Sequence, residues 1–407
     1  MKQITGGVTA AKGFEAAGVE AAVKYQNRKD MALVYSTVPC RVAGTFTSNV
    51  VKAAPVLWDR NIVDHSPYAQ AVVVNSGVAN ACTGKQGMDC CKAEAECLGN
   101  LLGIPESAVL VASTGVIGAQ LPIDRIKAGI EKLAAAKKDT PEAGTDAAKA
   151  IMTTDTVHKE IAVQFQVGGV TAVMGAMCKG SGMIHPNMCT MLGFITTDVN
   201  ISKEMLQKAL SADVVDTFNM ISVDGDTSTN DTLLVLANGL AGNGEITEEG
   251  PDYEAFCEAL HFITTYLARK MAGDGEGATC LFEAKVVGAA SKEEARILAK
   301  SVICSSLSKA AIFGHDANFG RFLCALGYSG AKFDPENVDL YFQSRSGEIH
   351  IFSRGAACDY SEEEATKILS DPEVTVLADM HMGEAEAVAW GCDLSYDYVK
   401  INADYRS

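Results

Sequence analysis

The stretch that most constrains this chain is residues 179–198, KGSGMIHPNMCTMLGFITTD, where a loop rich in chain breakers gives way to a strand. Gly180, Gly182, Pro186 and Asn187 punctuate its first half and rule out regular structure there. Residues 191–195 are apolar and of strand length, which predicts entry into a buried sheet. Cys189 and Thr190 lie at the junction, placing a small nucleophile where the loop ends and the strand begins. Taken alone, such a junction is a tight turn feeding a core strand, so the rest of the chain must decide what it means.

Other short apolar runs end the same way. Residues 71–74 are β-branched and close on Asn75-Ser76-Gly77, and residues 109–112 close on Ser113-Thr114-Gly115. Residues 1–60 alternate short apolar runs with glycine and polar residues, which predicts several strands and few helices. Helical spacing follows at 88–102, 123–135 and 146–152, the last ending at Thr153-Thr154-Asp155-Thr156. A hairpin around Gly168-Gly169 then delivers the chain to Lys179. Further on, helices are predicted over 203–220, 253–272, 292–307 and 362–369, with strands at 233–237, 281–287, 338–342, 348–352 and 374–377 and a C-terminal strand ending INADYRS. Residues 222–231, SVDGDTSTND, form a polar loop, and 239–251 a glycine- and glutamate-rich surface segment. Strands and helices mix without strict βαβ alternation, so the expected class is α/β of the mixed α+β kind.

With 407 residues the chain is expected to fold as two or three domains. A net charge of -17 argues against a nucleic-acid or anionic-membrane surface and says nothing sharp about a small-molecule substrate. No uncharged apolar run reaches the roughly 18 residues of a membrane span. The 13 cysteines are scattered without CxxC spacing and the N-terminus carries no signal-like segment, so the expectation is a cytoplasmic protein with reduced thiols. Cys90, Cys91 and Cys97 have no histidine to complete a zinc set and read as core residues. No metal or cofactor is expected.

The familiar catalytic signatures are missing: no dinucleotide-binding glycine fingerprint after a strand, no GxxxxGK[ST], no HExxH and no GxSxG. The glycines of 273–277 lack a lysine, and Asp274 and Glu276 would repel phosphate. The aspartates of 222–231 do not follow the calcium-loop pattern. What remains is a set of hydroxyl- and glycine-rich turns at strand ends: STGVIG, TTDT, KGSGMIHPNMCT and GDGEGAT. A nucleophile without a neighbouring histidine needs another base. A threonine supplies its own once the peptide bond before it is cut, because its free α-amino group titrates near neutrality, at about 7.7–8.0. The same hydroxyl can make that cut if the turn is strained and the oxyanion is held. Cys189-Thr190 suits that logic.

The blocks NSGVANACTG, STGVIG, IMTTDT, KGSGMI-PNM-TMLGFITTD, FN-ISVDGDTSTNDT, GDGEGAT and INADYRS, in this order, resemble the ArgJ family, the ornithine acetyltransferases that include glutamate N-acetyltransferases. The family's KGxGMIxPxxATML signature is departed from at His185 and Cys189, where alanine is usual, and FGHDANFGR is a weakened form of its GRDPNWGR. The resemblance implies an ArgJ/DmpA-like four-layer αββα sandwich with a smaller C-terminal α/β subdomain. It implies self-cleavage between Cys189 and Thr190 into an alpha chain, 1–189, carrying the N-terminal part of the core, and a beta chain, 190–407. Residues 190–240 would complete the core, and about 245–360 would form the subdomain. Thr190 matches the nucleophile, Thr114 and Gly115 the oxyanion hole, and Thr153, Lys179, Thr190, Glu276, Asn402 and Ser407 the substrate-binding positions; within TTDT, Thr154 is the alternative to Thr153.

The reaction so implied is ping-pong transfer of acetyl from N2-acetyl-L-ornithine to L-glutamate through acetyl-Thr190, in arginine biosynthesis, with acetyl-CoA as a second possible donor. The partners implied are these substrates and the chain's own halves, associated as a heterotetramer of two alpha and two beta chains. Two other readings stand beside it: a related amidase or aminopeptidase that passes its acyl group to water, and a non-catalytic amino-acid-binding relative.

Overall fold

The computed structural model describes residues 1–185 and 191–403. Strands β1 (Lys2–Ile4), β2 (Phe14–Val19), β3 (Met31–Phe46), β4 (Ala69–Val78), β5 (Val109–Val116), β6 (Lys159–Val167), β7 (Val170–Lys179) and β8 (Leu192–Thr197) come first. Of the next two, β10 (Thr232–Ala237) joins them in one nine-stranded sheet, and β9 (Ile221–Ser222) belongs elsewhere. This sheet lies in a unit made of Met1–Gly180, Pro186–Val215 and Thr227–Leu267.

The long strand β3 turns the nine strands into two layers. Its first half pairs with β2 and β4 through residues 31–36, its second half with β10 through residues 41–46, and the register breaks between Tyr35 and Cys40. One layer is therefore β2, β3, β4 and β5; the other runs β1-β6-β7-β8-β10-β3. Alternation along each strand decides what meets what. Val34, Val72, Val74 and Leu110 from one layer share a core with Val42, Phe194, Leu234 and Leu236 from the other. Leu33, Val73, Val109 and Val111 point the opposite way and bury against helices.

The helices of this unit are α1 (Ala54–His65), α2 (Gly84–Leu102), α3 (Ile123–Ala136), α4 (Pro141–Ala150) and α5 (Lys203–Asp213); α6 (Pro251–Gly273) begins in it. Cys91, Ala95 and Leu98 of α2 and Ile126, Ile130 and Leu133 of α3 cover the outer face of the β2–β5 layer. On β3, α5 packs with Leu206 and Leu210 buried, outside both of those cores. The result is the αββα stacking expected. Cys90 and Cys91 are core residues on α2, as the sequence predicts.

The second unit comprises Ser181–His185, Asp216–Asp226 and Ala268–Ser407. Its sheet adds β11 (Leu281–Ala289), β12 (Asp339–Ser344), β13 (Gly347–Ser353), β14 (Ala356–Ala357), β15 (Glu373–Asp379) and β16 (Ala385–Cys392), in the order β14-β13-β12-β15-β11-β16-β9. Helices α7 (Lys292–Cys304), α8 (Ser306–Phe313), α9 (Phe319–Gly327), α10 (Glu362–Leu369) and α11 (Tyr396–Ala403) complete it. Phe322 of α9 meets Phe282 and Phe342 edge-on at 6.1 and 5.3 Å, which ties that helix to the sheet.

Three expectations change in detail. The helix expected over 203–220 ends at Asp213, with a 3₁₀ turn at Phe218–Met220. That over 292–307 stops at Cys304, because Ser305 has extended backbone and caps a new helix by accepting from the Ser308 N–H. The end of the chain, expected as strand, is helical over Tyr396–Ala403. Among the described residues no helix is long and apolar enough to cross a membrane.

Candidate active site

In the first unit the candidates gather at strand ends. Thr114 and Gly115 lie near the end of β5, and Lys179 is the last residue of β7. The Lys179 Nζ lies 3.4 Å from the Thr114 Oγ1, and Lys179 is buried, with 7% of its surface exposed. Gly115 is required by geometry. Its φ is +130°, and a Cβ there would sit 2.3 Å from the backbone carbon of Gly77 on β4. At this point the parallel β4–β5 register slips, with Val78 opposite both Thr114 and Val116.

Asp155, from the TTDT block, organises the lysines. Its Oδ1 accepts from Lys159 Nζ at 2.7 Å and from the Gly180 N–H at 2.7 Å, and its Oδ2 accepts from the Thr153 N–H at 3.1 Å. Burial pushes the Asp155 carboxyl up, but the charges of Lys179 and Lys159 and the hydrogen bonds from Lys159 and Gly180 outweigh it and hold the pKa at about 2. One ionised carboxylate thus answers two ammonium groups. It also links Thr153 to Gly180, the residue after Lys179.

A second buried aspartate behaves in the opposite way. Asp231 precedes β10, and its neighbour Thr232 donates its N–H to the Met191 carbonyl at 2.8 Å, at the start of β8. Burial dominates here and pushes the Asp231 carboxyl well above the usual range, against hydrogen bonds from Ser228 and Thr47 and the charge of Lys179. Its Oδ2 has no hydrogen-bond partner. An uncharged carboxyl fits that setting.

Two candidates lie in the second unit. Glu276 is buried; its N–H donates to the Ser181 carbonyl at 3.0 Å, and its Oε2 accepts from Asn402 Nδ2 at 2.7 Å. Gly182 makes room for it: a Cβ there would lie 2.4–2.5 Å from the carboxylate. Asp224 shapes the same loop by accepting from the N–H groups of Met183 and Ile184 at 2.6 and 2.9 Å. His185 has its Nδ1 3.1 Å from Ser222 Oγ. Burial, reinforced by the charge of Lys300 and opposed by Asp224, lowers its pKa to about 4, so the ring is neutral at physiological pH.

Cys189, Thr190 and Ser407 lie outside the described residues. Of the rest, the first unit brings Thr114, Gly115, Lys179 and Thr153 to one set of strand ends, and the second joins Glu276 to Asn402. Asp155, Asp224, Asn230 and Asp231 were not singled out by sequence reasoning, although they sit inside blocks it had marked, TTDT and SVDGDTSTND. Among the described residues no group of three or more His, Cys, Asp or Glu side chains is placed to hold a metal ion.

The sequence profile of the ArgJ family matches residues 15–407. The chain is 53% identical over 409 residues to the arginine biosynthesis bifunctional protein ArgJ of Symbiobacterium thermophilum, covering 100% of both chains. It is 51% identical over 395 residues to arginine biosynthesis bifunctional protein ArgJ 1 of Clostridium acetobutylicum, covering 97% of this chain and 96% of that one. A crystal structure of the ArgJ protein of Bacillus halodurans matches with 47% identity and a TM-score of 0.49, over 52% of this chain and 97% of that chain. A family match over nearly the whole length, with relatives this similar from end to end, leaves one assignment: the chain belongs to the ArgJ family.

Proposed function

We propose that this chain transfers an acetyl group from N2-acetyl-L-ornithine to L-glutamate by way of acetyl-Thr190, after cutting itself between Cys189 and Thr190. That it is an acyltransferase of arginine biosynthesis follows from its family. The observation that carries the finer reading is the pairing of Thr114 Oγ1 with Lys179 Nζ at the ends of β5 and β7, beside a glycine whose backbone no other residue could adopt unstrained. A hydroxyl and a buried cation at one place, beside a glycine in a left-handed backbone, suit an oxyanion.

In maturation the Thr190 hydroxyl adds to the Cys189 carbonyl, the amide C–N bond breaks to leave an ester, and water hydrolyses that ester. This frees the Cys189 carboxylate and the Thr190 α-amino group. In turnover that amine takes the hydroxyl proton while Thr190 Oγ attacks the acetyl carbonyl. The tetrahedral oxyanion forms against Thr114 and Gly115, then collapses as the proton passes to the departing ornithine nitrogen. The glutamate amine then attacks the acetyl ester and restores the hydroxyl. Lys179 suits a substrate carboxylate or acetyl oxygen, and Glu276, steadied by Asn402, suits an ammonium group. Thr153 and Ser407 complete the proposed substrate contacts. The relatives' designation as bifunctional favours acetyl-CoA as a second donor to Thr190. Retention of the cleaved halves as a tetramer belongs to the same proposal.

The purified protein is expected as two fragments, one ending at Cys189 and one beginning at Thr190, as N-terminal sequencing would read. Thr190→Ala should remain whole, folded and inactive. Acetylornithine alone should release no more than about one ornithine per acylated Thr190, and continued turnover should need an acceptor. An intact chain with full activity, or acetate release independent of glutamate, would overturn the reading.

A further inference from the structure

We propose that Asn230 is the positioning residue of the oxyanion hole, clamping the kinked ends of β4 and β5 so that the Thr114–Gly115 backbone keeps its aim. The inference rests on the reading of Thr114 and Gly115 given above. After Gly77 and Gly115 come together the β4–β5 register slips, and carbonyls on both sides of the slip accept from side-chain donors. Asn230 supplies them. Its Nδ2 donates to the Ser113 carbonyl at 2.8 Å and to the Ala79 carbonyl at 2.5 Å. Asn75 braces the kink from within β4, donating to the Val78 carbonyl at 2.9 Å and accepting from Ser113 Oγ at 2.7 Å.

The Ser113 carbonyl and the Thr114 N–H belong to one planar peptide, so a donor that fixes the first fixes the direction of the second. The clamp is itself immobile. Asn230 is buried, its Oδ1 accepts from Thr229 Oγ1 at 2.6 Å, its N–H donates to Ser228 Oγ at 3.1 Å and its carbonyl accepts from Thr232 Oγ1 at 3.0 Å. A flipped amide would set its oxygen against two carbonyl oxygens, so one orientation is dictated by chemistry. Two residues on, the Thr232 N–H holds the Met191 carbonyl at the start of β8. Residues 230–232 therefore bond the end of β5 in one β-layer and the start of β8 in the other. They set the spacing between the oxyanion hole and the strand that follows position 190.

The test compares Asn230→Ala and Asn230→Asp with Thr114→Val and with the Thr114→Val/Asn230→Ala double variant. Melting temperature, fraction cleaved, and kcat and KM for acetylornithine per cleaved chain are read for each. Asn230→Asp sets a carboxylate oxygen against two carbonyls and should lower kcat by about 10²-fold or more, the scale of a lost oxyanion donor, with KM nearly unchanged. Asn230→Ala should lower it less. The double variant should be slowed by less than the product of the two single losses, because misaiming residue 114 displaces its hydroxyl together with its N–H. Thr229→Val, which loosens the amide without removing it, should also lower kcat and serves if Asn230 variants fail to fold. The proposal is overturned if folded, cleaved Asn230→Ala or Thr229→Val turns over normally, if KM rises in place of a fall in kcat, or if the losses multiply in the double variant. A Thr114→Val enzyme with normal kcat would instead remove the oxyanion reading itself.

Discussion

Gly182→Ala is expected to harm substrate binding far more than stability. The new Cβ would lie 2.4 Å from Glu276 Cδ and Oε2 and 2.5 Å from Oε1, against an ordinary contact of roughly 3.5 Å. The carboxylate must retreat by about 1 Å. That lengthens its 2.7 Å bond from Asn402 Nδ2 past the limit of a useful hydrogen bond. Hydrogen bonds to charged groups contribute about 1.5–3 kcal/mol, or roughly 10- to 100-fold in an equilibrium constant. The fold loses little, since the displaced atoms end a flexible side chain and Gly182 has no left-handed backbone. Steady-state kinetics on cleaved protein should therefore show KM raised about 10-fold or more for the substrate whose ammonium group Glu276 is proposed to receive, with melting temperature nearly unchanged. Glu276→Gln should shift the same KM in the same direction. A Gly182→Ala enzyme with parental KM for both substrates would refute the reasoning, as would a large fall in melting temperature with normal kinetics.

Two further predictions concern pH. Asp155 has its pKa held near 2, below an ordinary 3.8, so its stabilisation is present above about pH 4 and lost as pH falls toward 2. Asp155→Asn should lower stability at pH 7 by on the order of 2 kcal/mol, and the two proteins should converge in acid unfolding curves near pH 2. Glu94 has the opposite sign: on α2, with both carboxyl oxygens buried and unpartnered, burial raises it from 4.5 to about 8. The folded chain then holds a proton that the unfolded chain releases, so stability falls as pH rises from about 4.5 to 8 and levels off beyond. Glu94→Gln should flatten that slope in denaturant titrations; an unchanged slope would place the titrating group elsewhere.

The fold was legible where local chemistry and burial agree. The runs at 71–74 and 109–112 are strands β4 and β5 because β-branched residues fit a sheet buried on both faces, and their terminal turns mark the strand ends. Helix α1 was hidden among residues read as strands, although Pro55 stands at its start, where proline is favoured because no hydrogen-bonded N–H is needed. The C-terminal helix was illegible for another reason. None of its residues is buried, so it has no apolar stripe to read, and its anchors are tertiary: Ser395 Oγ donates to the Gly277 carbonyl at 2.6 Å, and Asn402 reaches Glu276.

The site divides along the same line. Thr114, Gly115, Lys179 and Glu276 were reachable because the glycine- and hydroxyl-rich blocks that hold them resemble those of the family, and it was the resemblance that singled them out. Asp155, Asn230 and Asp231 lie in such blocks too, yet their roles depend on partners far away in sequence. Asn230 acts on carbonyls 117 and 151 residues upstream, and what it contributes is a donor at a register slip that no spacing rule describes. The two aspartates show why residue type alone could not assign charge. Asp155 and Asp231 are both buried, but Lys159 lies 2.7 Å from the first, while the second keeps an oxygen without a partner. The first is therefore held ionised and the second is pushed well above the usual carboxylate range; both feel the charge of Lys179, so the difference comes from β6 bringing Lys159 against Asp155 and not from anything written at positions 155 and 231.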